Sequence, residues 1–370
     1  MKKMVFIGAG SYGTAVANHV AEKHKDSAHV LIYGRDKKTV DEINLNHRNT
    51  KYLSGHELSR HLKSTSDLDE AVTVADYIFM GIPAQHVRKM TSQIRNYVIT
   101  DVEVINLAKG VEVDSLKRMS EVIGEELNGI KPSYNIMTLS GPSFAKDVVD
   151  PKKSVVLSLG GNRKRRLEKT REMLHTNSFR VFACKDIVGV EIGGALKNVY
   201  AIMAGIMKGA GEGDSYLGEY IPRALVEMDS IVRHFGARRD TTRGVSTLGD
   251  LIITCSESSR NFRFGEAFAR TGSIEEAMGG KTIEGYHTLE AMHKFVESKN
   301  MFAPIIRELH EILYESSKDP KDAITSFRQA DSLRTWENIR FFSKVLGKVL
   351  PKFWYRRHDF SFDGMKREFF

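Results

Sequence analysis

Short apolar runs alternate with stretches of helical periodicity over the first half of the chain. Residues 86–95, 115–127 and 162–175 have helical patterns. The apolar runs, which end in turn residues, are KMVFIG (3–8), AHVLIYGRD (28–36) and residues 76–83, 101–110, 134–143, 154–161 and 179–184. Strands that alternate with helices are typical of a doubly wound parallel sheet, so the pattern predicts a Rossmann-type α/β domain.

After Cys184 the strand pattern stops. Residues 186–346 have mainly helical periodicity, interrupted at residues 209–218 and 279–280 and at Pro304 and Pro320. The change predicts an all-α domain after the sheet. We therefore expect a dinucleotide-binding domain at 1–187, a helical substrate and catalytic domain at 188–340, and a C-terminal extension of unknown role at 341–370.

A glycine-rich turn separates the first apolar run from the first helical pattern. Its spacing is Gly8-x-Gly10-x-x-Gly13. In a dinucleotide site the first glycine makes the tight turn, the second admits the pyrophosphate, and the third allows the helix to pack on the strand. The position between strand and helix predicts that this turn binds a nicotinamide dinucleotide.

The second apolar run ends in Gly34, Arg35 and Asp36. An acidic residue at this place binds the ribose hydroxyls of NAD, whereas an arginine accommodates the 2′-phosphate of NADP. Both residue types are present, so the sequence leaves the cofactor open between NAD and NADP.

A lysine lies inside the most apolar helical segment, GGALKNVYAIMAGI (193–206). Lys197 has Gly193 and Gly194 on the preceding turn, which indicates close packing of a ligand or of the first domain on this face. A buried lysine needs a partner or a function. It could simply pair with a carboxylate or extend to solvent.

Further along the chain, polar and charged residues occur that could bind a phosphate group. Asp250 and Thr254 lie one helical turn apart, and Arg260-Asn261 follow a serine-rich turn. Guanidinium groups form paired hydrogen bonds to phosphate oxygens.

Composition limits the class of protein. The chain has 370 residues with 55 Lys and Arg against 47 Asp and Glu, which gives a net charge of +8. This surplus suits an acidic substrate or cofactor. Nucleic-acid binding needs a concentrated basic stripe, so we expect no nucleic-acid partner from this net charge. Two cysteines without CxxC spacing favour a reducing compartment. The glycines interrupt the signal-like start, and no apolar stretch reaches the ~18 residues of a membrane span, so we expect a cytoplasmic protein without stable membrane insertion.

Three shorter motifs do not carry a function. The histidines of HELSRH (56–61) are five residues apart and would lie on different faces of a helix. GGKT (279–282) lacks the first glycine of a P-loop, and SFAK (143–146) has no companion motif for a serine nucleophile. No metal site is predicted.

Taken together, the motifs resemble those of NAD(P)-dependent glycerol-3-phosphate dehydrogenases. The matching segments are GAGSYGTA, YGRD, AKG, SGPSFAKD, GGALKNVYAI, LGDLIITC, SRNFRFG and EGY, and APIIRELHEILYE continues the match. They occur in order over roughly the first 330 residues. The resemblance implies reversible hydride transfer between NAD(P)H and dihydroxyacetone phosphate, which gives sn-glycerol 3-phosphate.

The resemblance also implies roles for individual residues. Lys197 corresponds to the proton-transferring lysine, with Lys109 and Asp250 as further catalytic residues. The implied substrate contacts are Lys109, Gly141, Ser143, Lys197, Asp250, Thr254, Ser259, Arg260 and Asn261. The expected cofactor contacts are Gly8, Gly10, Ser11, Tyr12, Gly13, Arg35, Lys109, Ala145, Arg260, Ile283 and Glu284.

Some positions depart from the family pattern. Asp214-Ser215 replaces Asp-Asn, Ser246-Thr247 replaces small residues, and His86 replaces an apolar or aromatic residue. The aromatic and basic residues beyond about 350 are expected to cover the body or a partner subunit, which predicts a homodimer. Two alternatives stay open: a related hydroxy-acid or sugar-acid dehydrogenase, and a non-catalytic nicotinamide sensor.

Overall fold

The structure, a computed structural model, describes residues 1–315. The predicted extension at 341–370 and the end of the predicted helical domain lie outside the described residues. One sheet of eight strands has the order β3-β2-β1-β4-β5-β6-β7-β8. The strands are β1 Lys2–Ile7, β2 Ala28–Tyr33, β3 Leu62–Thr65, β4 Tyr77–Met80, β5 Val102–Asn106, β6 Tyr134–Ser140, β7 Val155–Gly160 and β8 Phe179–Cys184. The Rossmann-type sheet and the helical second domain are as predicted.

One strand pair differs from the prediction of a parallel sheet. Strands β6 and β7 are antiparallel, with Leu139 opposite Leu159, whereas the other pairs are parallel. The connection between them contains a single helix of four residues, Ala145–Val148. At about 1.5 Å per residue this helix cannot return the chain across the sheet. Strand β7 therefore starts at the edge where β6 ends.

Within residues 1–315, fifteen α-helices surround or follow the sheet. The first eight are α1 Ser11–Lys23, α2 Lys37–Asn46, α3 Thr50–Leu53, α4 Leu68–Val72, α5 Val87–Ile94, α6 Met119–Leu127, α7 Ala145–Val148 and α8 Lys164–Leu174. The rest are α9 Ile187–Gly209, α10 Tyr216–His234, α11 Asp250–Thr254, α12 Arg260–Thr271, α13 Ile274–Met278, α14 Glu284–Ser298 and α15 Pro304–His310. Separate apolar clusters cover the two faces of the sheet, and a third surrounds α9.

Helix α9 is the centre of the C-terminal domain. Asp186 begins it by accepting a hydrogen bond from the Gly189 amide at 2.9 Å. Apart from Glu191, Lys197, Asn198 and Lys208, its residues are apolar or glycine on every side, as expected of a fully buried helix. Within residues 1–315 it is the one helix long and apolar enough to cross a membrane, yet 94% of its most apolar window is buried inside the protein. It is therefore a core helix of this fold.

Glycines allow α9 and α12 to touch along their backbones. A Cβ atom on Gly205 would collide with the Phe262 carbonyl oxygen, and one on Gly265 would collide with the Ile202 carbonyl oxygen. This contact fixes the start of α12 against the C-terminal half of α9. Residues at both places, including Lys197 and Arg260, are candidate site residues.

We expect Gly205→Ala and Gly218→Ala to change stability in opposite directions. Gly205→Ala forces two backbones apart, and such overpacking costs about 1–3 kcal/mol. Gly218 is an exposed residue of α10 with nothing near its missing Cβ, so alanine there should stabilise the protein by up to about 1 kcal/mol. Urea unfolding of the two variants measures both effects. A stability equal to that of the parent protein for Gly205→Ala would contradict the close contact.

Candidate functional site

The glycine-rich turn lies where the strand order reverses, between β1 and β4. Gly8 has φ +106°, and a Cβ there would lie 2.8 Å from the carbonyl oxygen of Gly81, which follows β4. Gly10 precedes α1 and provides no side-chain cap. The first amides of α1 therefore stay free to bind an anion beside a backbone that no side chain obstructs. This cradle fits the pyrophosphate of a dinucleotide.

Arg35 and Asp36 differ in their freedom to contact a ribose. The Asp36 carboxylate caps α2, accepting from the Lys38 amide at 3.2 Å and from the Thr39 hydroxyl at 3.1 Å. Lys51 adds an ion pair at 2.9 Å, and this hydrogen bond lowers the pKa of Asp36. Arg35 is exposed and forms no hydrogen bond or ion pair with another described residue. The Arg35 guanidinium, which has no partner among the described residues, thus lies beside the Asp36 carboxylate, whose charge is offset by Lys51.

Several other predicted cofactor residues surround this crevice. Ser11 donates its hydroxyl hydrogen to the Tyr52 carbonyl oxygen. The Tyr12 hydroxyl lies 3.0 Å from Ser143 Oγ, and Lys109 Nζ lies 5.8 Å from the Tyr12 ring centre. Ala145 is the first residue of α7.

Two further predicted cofactor residues begin α14. Ile283 precedes the helix and Glu284 is its first residue. Burial raises the pKa of Glu284 to about 7, opposed by the Ala84 amide and by the charge of Arg260. The sequence segments that hold Arg260 and Glu284 therefore meet in the structure.

At the centre, one carboxylate holds two lysines. Lys197 Nζ lies 2.6 Å from Asp250 Oδ1, and Lys109 Nζ lies 2.7 Å from Asp250 Oδ2. Lys197 also donates to the Thr254 hydroxyl at 2.9 Å. The side chains of Asp250, Lys197 and Lys109 are 1%, 7% and 17% exposed. The three predicted catalytic residues are therefore in direct contact, away from bulk water.

The two lysines have different proton affinities. The pKa of Lys197 is lowered to about 7 by the net effect of its surroundings: burial lowers it most, the charge of Lys109 also lowers it, and Asp250 opposes both. For Lys109, burial also lowers the pKa, but Asp250 and Tyr12 outweigh it, so the net pKa is raised. Near neutral pH Lys109 keeps its proton, whereas Lys197 can release or accept one.

The substrate-side residues that follow β6 line the same centre. Gly141 has φ +150°, and its carbonyl oxygen accepts from Lys109 Nζ at 3.4 Å and from Ser143 Oγ at 3.0 Å. Ser143 is buried. These contacts hold the end of β6 against the lysine of the preceding loop.

The glycines before Lys197 are explained by neighbours on both sides. A Cβ on Gly194 would collide with Ser140 Oγ of β6, and one on Gly193 would collide with Thr247 Oγ1. The first domain therefore packs directly on α9, which was one of the two expected explanations. The other close neighbour, Thr247, comes from the helical domain.

Arg260 and Asn261, the first two residues of α12, lie in different environments. Asn261 accepts from the Gly285 amide at 3.0 Å and donates to Asn198 Oδ1 at 2.9 Å. Ser259 caps the helix, while Arg260 is exposed. Asn261 therefore joins α9, α12 and α14, and Arg260 is available to an anion at the helix start.

Asn198 and Glu191 were not among the predicted site residues. Both are buried on α9, and Glu191 contacts the first domain. Their signal was visible as polar residues inside an apolar helix, but the sequence gives no partner for either.

Three of the departures from the family pattern lie in different environments. Thr247 is buried against Gly193, Asp214 pairs with Lys208 at the surface, and His86 is exposed.

Cysteines and metal ligands add nothing to this site. Cys184 and Cys255 are both free. Within residues 1–315 there is no group of three or more His, Cys, Asp or Glu side chains that could hold a metal ion.

Two family models match the chain. Residues 3–162 match the NAD-dependent glycerol-3-phosphate dehydrogenase N-terminus, and residues 186–325 match the NAD-dependent glycerol-3-phosphate dehydrogenase C-terminus.

Similar proteins carry the same description. A glycerol-3-phosphate dehydrogenase [NAD(P)+] of Clostridium botulinum is 37% identical over 324 residues, 87% of this chain and 95% of the relative. One from Staphylococcus aureus is 35% identical over 85% of this chain and 95% of its own length. The crystal structure of a Coxiella burnetii glycerol-3-phosphate dehydrogenase superposes with a TM-score of 0.82 at 28% identity, over 89% of this chain and 99% of that chain. The chain belongs to the NAD-dependent glycerol-3-phosphate dehydrogenase family of oxidoreductases.

Proposed function

We propose that the chain interconverts dihydroxyacetone phosphate and sn-glycerol 3-phosphate with a nicotinamide cofactor, and that Lys197 transfers the proton. The observation that carries this proposal is the contact of Lys197 and Lys109 with one buried carboxylate, Asp250. The alternatives, a hydroxy-acid or sugar-acid dehydrogenase and a non-catalytic sensor, gain no support from the family matches.

When bound, the nicotinamide supplies or accepts the hydride at C2 of the substrate. The oxygen on C2 gains negative charge during reduction and requires a proton. Lys197 donates this proton and takes it back during oxidation, for which a pKa of about 7 is well suited. Asp250 and Thr254 orient the Lys197 ammonium group, and Lys109 contributes a fixed positive charge.

The phosphate of the substrate belongs at the start of α12. Arg260 is the first residue of this helix, it is exposed, and the helix start favours anions. Ser259 and Asn261 hold the backbone there in place, and Gly141 and Ser143 line the opposite side near Lys109. The predicted substrate residues therefore divide into a phosphate end and a carbonyl end.

Arg35 favours a cofactor with a 2′-phosphate. Asp36, which would bind free ribose hydroxyls, is already engaged by Lys51 and by its own helix. A free guanidinium beside a neutralised carboxylate suits the extra phosphate of NADP. We therefore assign the chain a preference for NADPH over NADH.

We also propose a reducing cellular compartment for this protein. Free cysteines are compatible with a reducing cytoplasm. The product would serve as a precursor of phospholipids, and the protein would form a homodimer. The domains are proposed at 1–187 and 188–340; the change from β8, which ends at Cys184, to α9, which begins at Ile187, supports the boundary between them.

Replacing the proton donor should remove turnover and keep cofactor binding. We expect Lys197→Met to lower kcat for dihydroxyacetone phosphate reduction by about 10²–10⁴-fold, the usual range for general acid–base catalysis. NADH and NADPH fluorescence titrations should give unchanged Kd values. Lys208→Met, on the last turn of the same helix, is the control and should have normal activity. Near-normal turnover of Lys197→Met would refute the role of Lys197.

The proton affinity of Lys197 sets the pH dependence of both directions. Reduction requires the protonated lysine, so its kcat/KM should fall tenfold per pH unit above about pH 7. Oxidation requires the neutral amine, so its kcat/KM should rise with pH up to about 7 and then level off. Initial rates between pH 5.5 and 9 measure both limbs. Oxidation that still rises tenfold per unit at pH 9 would indicate a lysine of ordinary pKa and would contradict the assignment.

Arg35 should determine cofactor preference. We expect Arg35→Gln to raise the Kd for NADPH about tenfold, because one charge-assisted phosphate contact is lost, and to change the Kd for NADH less than twofold. Arg60→Gln is the control, since Arg60 is exposed at the opposite, amino-terminal edge of the sheet, before β3. Equal losses for NADPH and NADH in Arg35→Gln would argue against a 2′-phosphate contact.

A further inference from the structure

A second polar contact joins the two domains away from the active centre. Of the ion pairs between described residues, two cross from the N-terminal to the C-terminal domain: Lys109–Asp250 and Arg118–Glu191. The first belongs to the active centre. The second lies on the same helix as Lys197, six residues earlier, which is about 9 Å along the helix axis.

The Glu191 carboxylate accepts hydrogen bonds from three donor groups of the first domain. It accepts from Arg118 Nη1 at 2.8 Å, from the Ser120 amide at 2.8 Å and from the Ser120 hydroxyl at 2.6 Å. Arg118 precedes α6 and Ser120 lies in its first turn. Glu191 thus caps a helix of the other domain, where a negative charge is favourable. Its side chain is 3% exposed, so the contact is shielded from water.

Arg118, one partner of Glu191, ends the loop that carries Lys109, and Ser120, the other partner, lies in the helix that follows this loop. The loop leaves β5 and returns as α6, and its two ends are joined by a backbone bridge between Val111 and Arg118. Gln85 fixes the same loop by donating to the Val111 carbonyl oxygen at 2.8 Å. Any displacement of Arg118 from α9 therefore moves Val111, which lies two residues after Lys109.

The contacts form a closed ring. It runs from Lys109 through Asp250 to Lys197, along α9 to Glu191, and through Arg118 back to Lys109. Under the proposed function a substrate oxygen competes with Asp250 for Lys109, which weakens one of the two interdomain ion pairs between described residues. Glu191 holds the other, where no candidate substrate or cofactor residue competes for it.

We propose that Glu191, with Arg118 and Ser120, is an interdomain clamp that positions Lys197 relative to Lys109. Glu191 is a positioning residue: it acts through α9 and the 109–118 loop and does not touch the reacting groups. The inference rests on the proposed function for its kinetic consequence, but the clamp itself can be tested without turnover.

The test compares Glu191→Gln with Glu121→Gln in the full chain. Glu121 is a matched control, because it pairs with the same Arg118 at 2.8 Å but stays within the first domain and is 45% exposed. We expect Glu191→Gln to lower kcat for dihydroxyacetone phosphate reduction at least tenfold, with the Kd of NADPH changed less than twofold. The break in the pH profile assigned to Lys197 should move upward, since a looser junction admits water. Glu121→Gln should match the parent protein in each respect.

Hydrogen exchange provides the independent readout. Amides of residues 109–118 and 187–199 should exchange at least tenfold faster in Glu191→Gln and at the parent rate in Glu121→Gln. If the parent protein does not turn over dihydroxyacetone phosphate, the proposed function fails, and this exchange comparison alone decides the clamp.

Ser120→Ala is the milder variant if Glu191→Gln does not fold. It removes one of the three donors, and we expect a threefold to tenfold lower kcat with faster exchange in the same two segments. A kcat and exchange pattern equal to those of the parent in Glu191→Gln, or in Ser120→Ala where only that variant folds, would overturn the proposal.

Discussion

The structure depends on one carboxylate that is shared by two ammonium groups. Asp250 is almost completely buried and contacts Lys197 with one oxygen and Lys109 with the other. A single negative charge cannot neutralise two positive charges, so the site keeps a surplus of positive charge in a medium that stabilises charge poorly. The surplus is relieved in two ways: Lys197 can lose its proton, or an anionic substrate can enter. Both are steps that a dehydrogenase acting on a phosphate ester requires.

Helix α9 makes this arrangement possible because its position is fixed along its whole length. Asp186 caps its start, and its carboxylate also accepts from the Arg238 amide and the Thr241 hydroxyl. Near its end, Gly205 admits the backbone of α12. A lysine on a surface helix would extend to water and keep its ordinary pKa. On α9 it cannot, so burial and the neighbouring charges determine its proton affinity.

How much the sequence could predict depends on how local each feature is. The glycine-rich turn and the lysine inside an apolar helix are readable within about 15 residues, because turn chemistry and helical periodicity are local. Strand β3 was missed because LKST has one apolar residue and is defined by its pairing with β2. The direction of β7 depends on the path of a connection without a long helix, which no periodicity reveals.

The candidate site was predictable as a set of residues but not as a network. The engagement of Asp36 by Lys51 joins positions 15 residues apart, and the contact of Arg118 with Glu191 joins positions 73 apart. A sequence without partners leaves such charges indistinguishable from solvated ones. The resemblance to a family identified residues expected to bind substrate or cofactor. Glu191 contacts none of these residues, so no family motif pointed to it.

A chain of amides shows why the cofactor side and the lysine helix must move together. The Gly285 amide, next to Glu284, donates to Asn261, and Asn261 donates to Asn198, next to Lys197. A Cβ on Gly285 would lie 2.5 Å from the Asn198 carbonyl oxygen, so α14 and α9 also touch directly. A shift of the α14 start on cofactor binding would therefore reach α9 within two hydrogen bonds. Because Lys197 directly precedes Asn198, the proposed proton donor is placed by the same contacts that order the start of α14.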